Sequence, residues 1–148
     1  MSRMRRIIHP TDFSKASTAA YKRAVDMAKA ARAELLLVHV SALAIPFVGD
    51  GYVSPAVYED ARKAGLAYGQ RHLDALVRKA QRAGVRARSL LVEGVPHERI
   101  AQAARSKKAD LVVIGTHGRT GLAKLFVGSV ASRVLAVAPC PVLVVRGR

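Results

Sequence analysis

Short apolar runs alternate along this chain with longer stretches whose apolar residues recur every three or four positions. Residues 5–10, RRIIHP, are β-branched, end at Pro10 and read as a strand. Thr11, Asp12 and Ser14 follow, residue types that start helices by accepting hydrogen bonds from first-turn N–H groups. From Ser14 to Ala31 the positions Ala16, Ala20, Ala24, Met27/Ala28 and Ala31 keep one helical face, small enough to pack close to a sheet. ELLLVHV, residues 34–40, is continuous and apolar, as expected of a strand covered on both faces. Residues 41–53, with Pro46, Gly49 and Gly51, have no clear period and read as a loop.

Ser54 followed by Pro55 opens a second helix. Its spacing runs through Val57, Ala61, Ala64, Tyr68, His72, Ala75/Leu76 and Lys79/Ala80. Gly65 and Gly69 each weaken it by about 1 kcal/mol relative to Ala, and Gly84 ends it. Residues 86–92 form a third strand, Pro96 opens a helix to about Lys107, and DLVVIGT, residues 110–116, is a fourth, buried strand. A glycine-bearing loop spans 117–127. A last helix covers about Ser129 to Ala138 with Val130, Val134 and Val137 on one face, and PVLVV, residues 141–145, is the fifth strand. This strict alternation predicts one doubly wound α/β domain over residues 1–148, a five-stranded parallel sheet with helices on both faces.

Composition narrows the chemistry. One Cys excludes an internal disulfide and Cys-rich zinc motifs. No apolar run approaches the roughly 18 residues of a membrane span, and MSRMRRIIHP is not a secretory signal, so the expected location is the cytoplasm. The net charge is +15, unevenly spread: residues 1–74 hold 11 basic and seven acidic side chains, residues 75–148 hold 14 and three. An anionic partner is implied.

Open parallel sheets bind ligands beyond the carboxyl ends of their strands, where the strand order reverses. The residues there are Pro10, Thr11 and Asp12 after the first strand, Val40 and Ser41 after the second, and Gly115 to Gly118 after the fourth. If the first and fourth strands are neighbours, Asp12 faces the Gly115 loop. That loop reads GTHGRTGLAKLFVGS. Gly115 and Gly118 let backbone approach a ligand closely. Gly128 and Ser129 begin the last helix, whose free N–H groups and dipole favour phosphate, with Ser129 expected at the cap. Arg119 offers a positive charge, and no acidic residue occurs from Gly115 to Arg148. The P-loop form and a Gly-x-Gly-x-x-Gly after the first strand are both absent.

The Gly-x2-Gly-x9-Gly-Ser spacing after the fourth strand, with PTDFS, LVHV and APCPVLVVR elsewhere, resembles the universal stress protein family, in its ATP-binding branch. The resemblance covers the whole chain. It implies that Asp12 hydrogen-bonds ribose hydroxyls, that Pro10 and Thr11 line the same pocket, and that the Val40 backbone meets the adenine edge. It implies Gly115 and Thr116 at the ribose side, and Gly118, Arg119, Gly128, Ser129 and Val130 as the phosphate cradle. His117 lies inside that site. ATP or AMP is the implied ligand, with Mg or Mn at the phosphates. A stress-response or signalling role and a homodimer paired through Pro141 to Val145 are implied too. An apolar edge at that strand needs covering in any case.

Plainer readings stand beside these. Asp12 also suits a helix cap. His117 has no carboxylate in sequence reach and suits loop ordering better than acid–base work. His9 and His39 read as satisfied core histidines, and Cys140 as buried filler. Arg78, Lys79, Arg82, Arg86 and Arg88 form a basic cluster without aromatics for base stacking, so solvated surface is favoured over a nucleic-acid contact. A slow ATPase and a polyanion-binding protein remain the alternatives to a nucleotide-binding regulatory module. No catalytic residue is assigned.

Overall fold

The computed structural model describes residues 3–42, 47–48, 51–52, 54–116 and 127–147. Among them the order is β1 (Arg6–Pro10), a 3-10 turn (Lys15–Ser17), α1 (Thr18–Ala31), β2 (Glu34–Ser41), β3 (Phe47–Val48), β4 (Gly51–Tyr52), α2 (Pro55–Arg82), β5 (Ala87–Glu93), α3 (Pro96–Ser106), β6 (Leu111–Gly115), α4 (Ser129–Val137) and β7 (Val142–Val145). Five strands form one parallel sheet in the order β5-β2-β1-β6-β7. This is the α/β domain that the alternation predicts. The first and fourth predicted strands, β1 and β6, are indeed neighbours. The chain winds outward from β1 in both directions, so the order reverses between β1 and β6.

Period-two alternation splits the core between the two faces of the sheet. Ile7, Leu35, Leu37 and Val113 pack under Ala20, Ala24 and Ala28 of α1 and Leu73 and Ala80 of α2. Ile8, Leu36, Val38, Val112 and Ile114 pack under Ile100, Ala103 and Ala104 of α3 and Ala131 and Val134 of α4. Each fully buried Ile or Leu contributes about 1.5–3 kcal/mol. Among the described residues no helix is long and apolar enough to cross a membrane.

Three local expectations are corrected. Residues 41–53 are not only loop: β3 and β4 pair there as a two-residue antiparallel hairpin, too short to show a period in sequence. The helix expected from Ser14 begins at Thr18, because Ser14 instead caps the preceding 3-10 turn, its Oγ accepting the Ser17 N–H at 3.3 Å. The buried face of α2 is also rotated by about one residue from the expected one. Gly69, Leu73 and Ala80 are buried, whereas Val57 and Tyr68 are exposed. Gly69 turns out to be a contact residue: a Cβ there would stand 2.9 Å from His39 Cδ2 and 3.1 Å from Leu91 Cδ1. The helix lies close to β2 and β5 because that side chain is missing.

Candidate functional site

The strand register aligns the junction residues. β1 pairs with β2 so that Pro10 faces Val38, and with β6 so that Ile8 faces Val112. Carrying both registers two to four residues on sets Asp12 level with Val40 on one side and Thr116 on the other. The residues singled out at three separate junctions thus share one end of the sheet.

The turn after β1 is built from short polar side chains. The Thr11 N–H donates to the Val38 carbonyl at 2.8 Å, continuing the ladder by one residue. Thr11 is buried, its Oγ1 accepting the Phe13 N–H at 3.0 Å and lying 3.2 Å from Ser17 Oγ. Asp12 Oδ1 accepts the Ser14 N–H at 3.0 Å. Asp12 therefore shapes the turn, as Asx residues do, and does not cap α1, whose N-cap Ser17 has no side-chain cap bond. Phe13 is forced to φ +65°, a left-handed conformation rare for a bulky residue and concentrated at functional sites.

Sequence reasoning missed the wall that Phe13 builds. Its ring lies 4.4 Å from His39, 5.0 Å from His72 and edge-on to Tyr68 at 6.1 Å. Tyr68 and His72 stack at 4.1 Å. His39 Nδ1 lies 2.8 Å from the Thr11 carbonyl, and because a carbonyl only accepts, Nδ1 carries the proton. His39 is half-buried rather than a full core residue. Arg62 of α2 grips Glu93 at the end of β5 with Nε at 2.8 Å and Nη2 at 2.6 Å, fixing the helix to the same rim.

The opposite wall comes from β6, β7 and α4. A Cβ on Gly115 would stand 3.3 Å from the Ala16 carbonyl oxygen, and one on Gly147 2.8 Å from the same atom. The Thr116 N–H donates to the Val145 carbonyl at 2.9 Å, and the Gly128 N–H donates to the Thr116 carbonyl. That last bond seats the start of α4 on the end of β6. The helix ladder begins with Ser132 N–H to Gly128 O at 2.9 Å, so the N–H groups of Ser129, Val130 and Ala131 stand outside it. The N-cap is Gly128, with no side-chain cap bond. Ser129 is the first helical residue and is exposed. This corrects its expected place at the cap: Gly128, the N-cap, brings no side chain to the first turn.

Of the expected site residues, Pro10, Thr11, Asp12, Val40, Gly115, Thr116, Gly128, Ser129 and Val130 gather around this end of the sheet. His117, Gly118 and Arg119 lie outside the described residues. Among the described residues no group of three or more His, Cys, Asp or Glu is placed to hold a metal. His9 is fully buried, as a core residue, with its Nδ1 donating to the Val113 carbonyl at 2.8 Å; its Nε2 has no hydrogen-bond partner among the described residues, so the ring is only half satisfied. Cys140 is half-buried; burial, and then the Asp110 charge, raise its thiol pKa, which disfavours a nucleophile.

The sequence profile of the Universal stress protein family matches residues 4–146. A universal stress protein of Methanocaldococcus jannaschii is 39% identical over 142 residues, covering 96% of this chain and 82% of that protein. The structure of universal stress protein UspA from Lactobacillus plantarum is similar with a TM-score of 0.82 at 27% identity, over 99% of this chain and 100% of that one. A universal stress protein solved in complex with cAMP is similar with a TM-score of 0.74 at 25% identity, over 99% of this chain and 100% of that one.

Proposed function

The chain belongs to the universal stress protein family, and we propose that it binds an adenine nucleotide, ATP or AMP, in the cleft beyond the carboxyl ends of β1 and β6. The observation that carries this reading is the seating on Thr116 of the first turn of α4, which has no side-chain cap bond, beside β1 at the point of strand reversal. A helix start with uncommitted N–H groups favours phosphate. Asp12, level with Thr116, supplies an acceptor suited to ribose hydroxyls, and the Val40 backbone, level with Asp12, is assigned the base edge in this reading. The relative in complex with cAMP supports an adenine nucleotide as the class. The nucleotide serves regulation in a stress response. The chain acts as a homodimer through β7, an edge strand of the sheet. A magnesium or manganese ion at the phosphates belongs to the same reading.

The test is nucleotide extraction. Purified protein is denatured and the supernatant resolved by anion exchange, with about one adenine nucleotide per chain expected. Asp12→Ala weakens ATP binding at least about tenfold in calorimetry, the scale of a lost hydrogen bond to a charged group. A clean supernatant together with no heat on ATP titration overturns the reading. Phosphate release with ATP and magnesium separates holding from slow hydrolysis, and light scattering separates monomer from dimer.

A further inference from the structure

Five basic residues cluster by sequence in 78–88, and the structure sends three of them to different partners. Lys79 lies 5.7 Å above the Tyr21 ring, and Arg88 pairs with Glu34 at 2.8 Å. Arg86 goes elsewhere, to the amino-terminal end of the sheet. There an open concavity of about 320 Å³ is lined by Arg3, Lys29, Arg32 and Arg86, with Gly84 and Val85 among its other residues.

Four cations thus share a small hollow whose lining contains no carboxylate. Among the described residues none of the four is ion-paired. Glu34, close by in sequence, is already held by Arg6 at 3.2 Å and Arg88. Helix capping does not account for them either. The end of α1 is closed by backbone, Arg32 at φ +54° donating to Ala28 and Lys29 carbonyls and Ala33 donating to Ala28 at 2.9 Å. The end of α2 is closed likewise by Ala83, Gly84 and Val85 N–H groups. Among the described residues the one side-chain contribution is Arg86 Nη2 to the Arg32 carbonyl at 3.2 Å. Two helix C-termini offer about half a negative charge each, which leaves most of four positive charges unbalanced. All four residues are exposed, so this excess charge is open to an anion arriving from solvent.

We propose that this hollow is a second anion site, for a small oligophosphate such as inorganic tripolyphosphate. The volume sits at the lower end of small-ligand sites. No aromatic residue lines it, so it has no surface for stacking a base, and recognition falls on phosphate oxygens, which Arg binds in bidentate fashion. It lies at the far end of the strands from Asp12, Thr116 and Gly128 and does not depend on the nucleotide reading.

The test is calorimetric titration of the full chain with tripolyphosphate at about 0.15 M salt, where exposed long-range attraction is largely screened. Binding is expected. Lys29→Gln with Arg86→Gln weakens it at least about tenfold, whereas Arg133→Gln, which removes an exposed charge on α4 away from the hollow, leaves it unchanged. Amide chemical shifts of the parent protein move at Lys29, Arg32, Gly84 and Arg86, a readout independent of how well the variants fold. Absence of binding overturns the site. So does binding kept with the same number of sites in the double variant. Tighter binding of an oligonucleotide, dependent on Lys29 and Arg86, overturns the small-ligand assignment in favour of a nucleic-acid backbone.

Discussion

Gly69 of α2 lies so close to His39 of β2 that a Cβ would fall 2.9 Å from the imidazole ring. The ring has little room to yield, since its Nδ1 bonds the Thr11 carbonyl and its face meets Phe13 at 4.4 Å. Gly65, one turn earlier, is different: the nearest described atom to its Cβ position is Ser41 Oγ at 3.8 Å, ordinary contact. Helix propensity favours Ala over Gly by about 1 kcal/mol at both sites. Overpacking costs about 1–3 kcal/mol, and applies only at position 69. Gly65→Ala therefore stabilises by up to about 1 kcal/mol and Gly69→Ala destabilises by about 1 kcal/mol. Urea unfolding of the two variants against the parent checks the opposite signs.

Phe13 gives a prediction about backbone alone. Both Phe13→Ala and Phe13→Gly delete the ring that meets His39, His72 and Tyr68, so their difference isolates the φ of +65°. Ala normally outranks Gly in stability. In a left-handed position an L side chain costs about 1–2 kcal/mol, so the order inverts and the Gly variant is the more stable of the two. Equal melting temperatures, or the usual order, would show that residue 13 is not held left-handed.

These two positions show where the sequence was legible and where it was not. Strands such as 34–40 announced themselves because burial on both faces leaves an unbroken apolar run. The helix-to-sheet alternation then allowed few topologies, but left the neighbouring of β1 and β6 as a condition, which the strand register meets. Asp12, Thr116 and Gly128 were readable as candidates since polar or small residues cluster where strands end. The face of α2 was misread because apolar periodicity cannot register a contact made by the absence of a side chain. Phe13 was invisible for a related reason: nothing local marks a bulky residue as left-handed when the Thr11 and Asp12 side-chain bonds impose it. Gly147, near the chain's end, carried no pattern at all, yet it shares the Ala16 carbonyl with Gly115.

That shared carbonyl yields the third prediction. A Cβ at residue 147 meets Ala16 O at 2.8 Å and its Cα at 3.1 Å, backbone atoms that move only with the turn following Asp12. Gly147→Ala therefore displaces that turn and weakens adenine-nucleotide binding, although the residue is remote from the ligand in sequence. Gly115→Ala, at 3.3 Å, acts on the same atom more gently. Calorimetry on both is expected to rank affinity as parent, then Gly115→Ala, then Gly147→Ala. An affinity for Gly147→Ala equal to the parent's would show that the turn does not transmit the shift.

His9 makes stability depend on pH. It is fully buried, and desolvation is the main cause that lowers its pKa from 6.5 to about 4, against the opposing effects of the Val113 carbonyl and the Asp12 charge. The unfolded chain therefore binds a proton between these values that the folded chain refuses. A base whose folded pKa is depressed contributes its full stability above pH 6.5 and loses it as pH falls towards about 4. The loss amounts to about 3 kcal/mol over that window, at up to about 1.4 kcal/mol per pH unit. His9→Gln retains an N–H donor for the Val113 carbonyl but cannot titrate. Unfolding free energies measured from pH 7 to 4.5 are expected to fall more steeply for the parent than for the variant. Parallel curves would mean that the His9 ring takes up its proton without leaving the core.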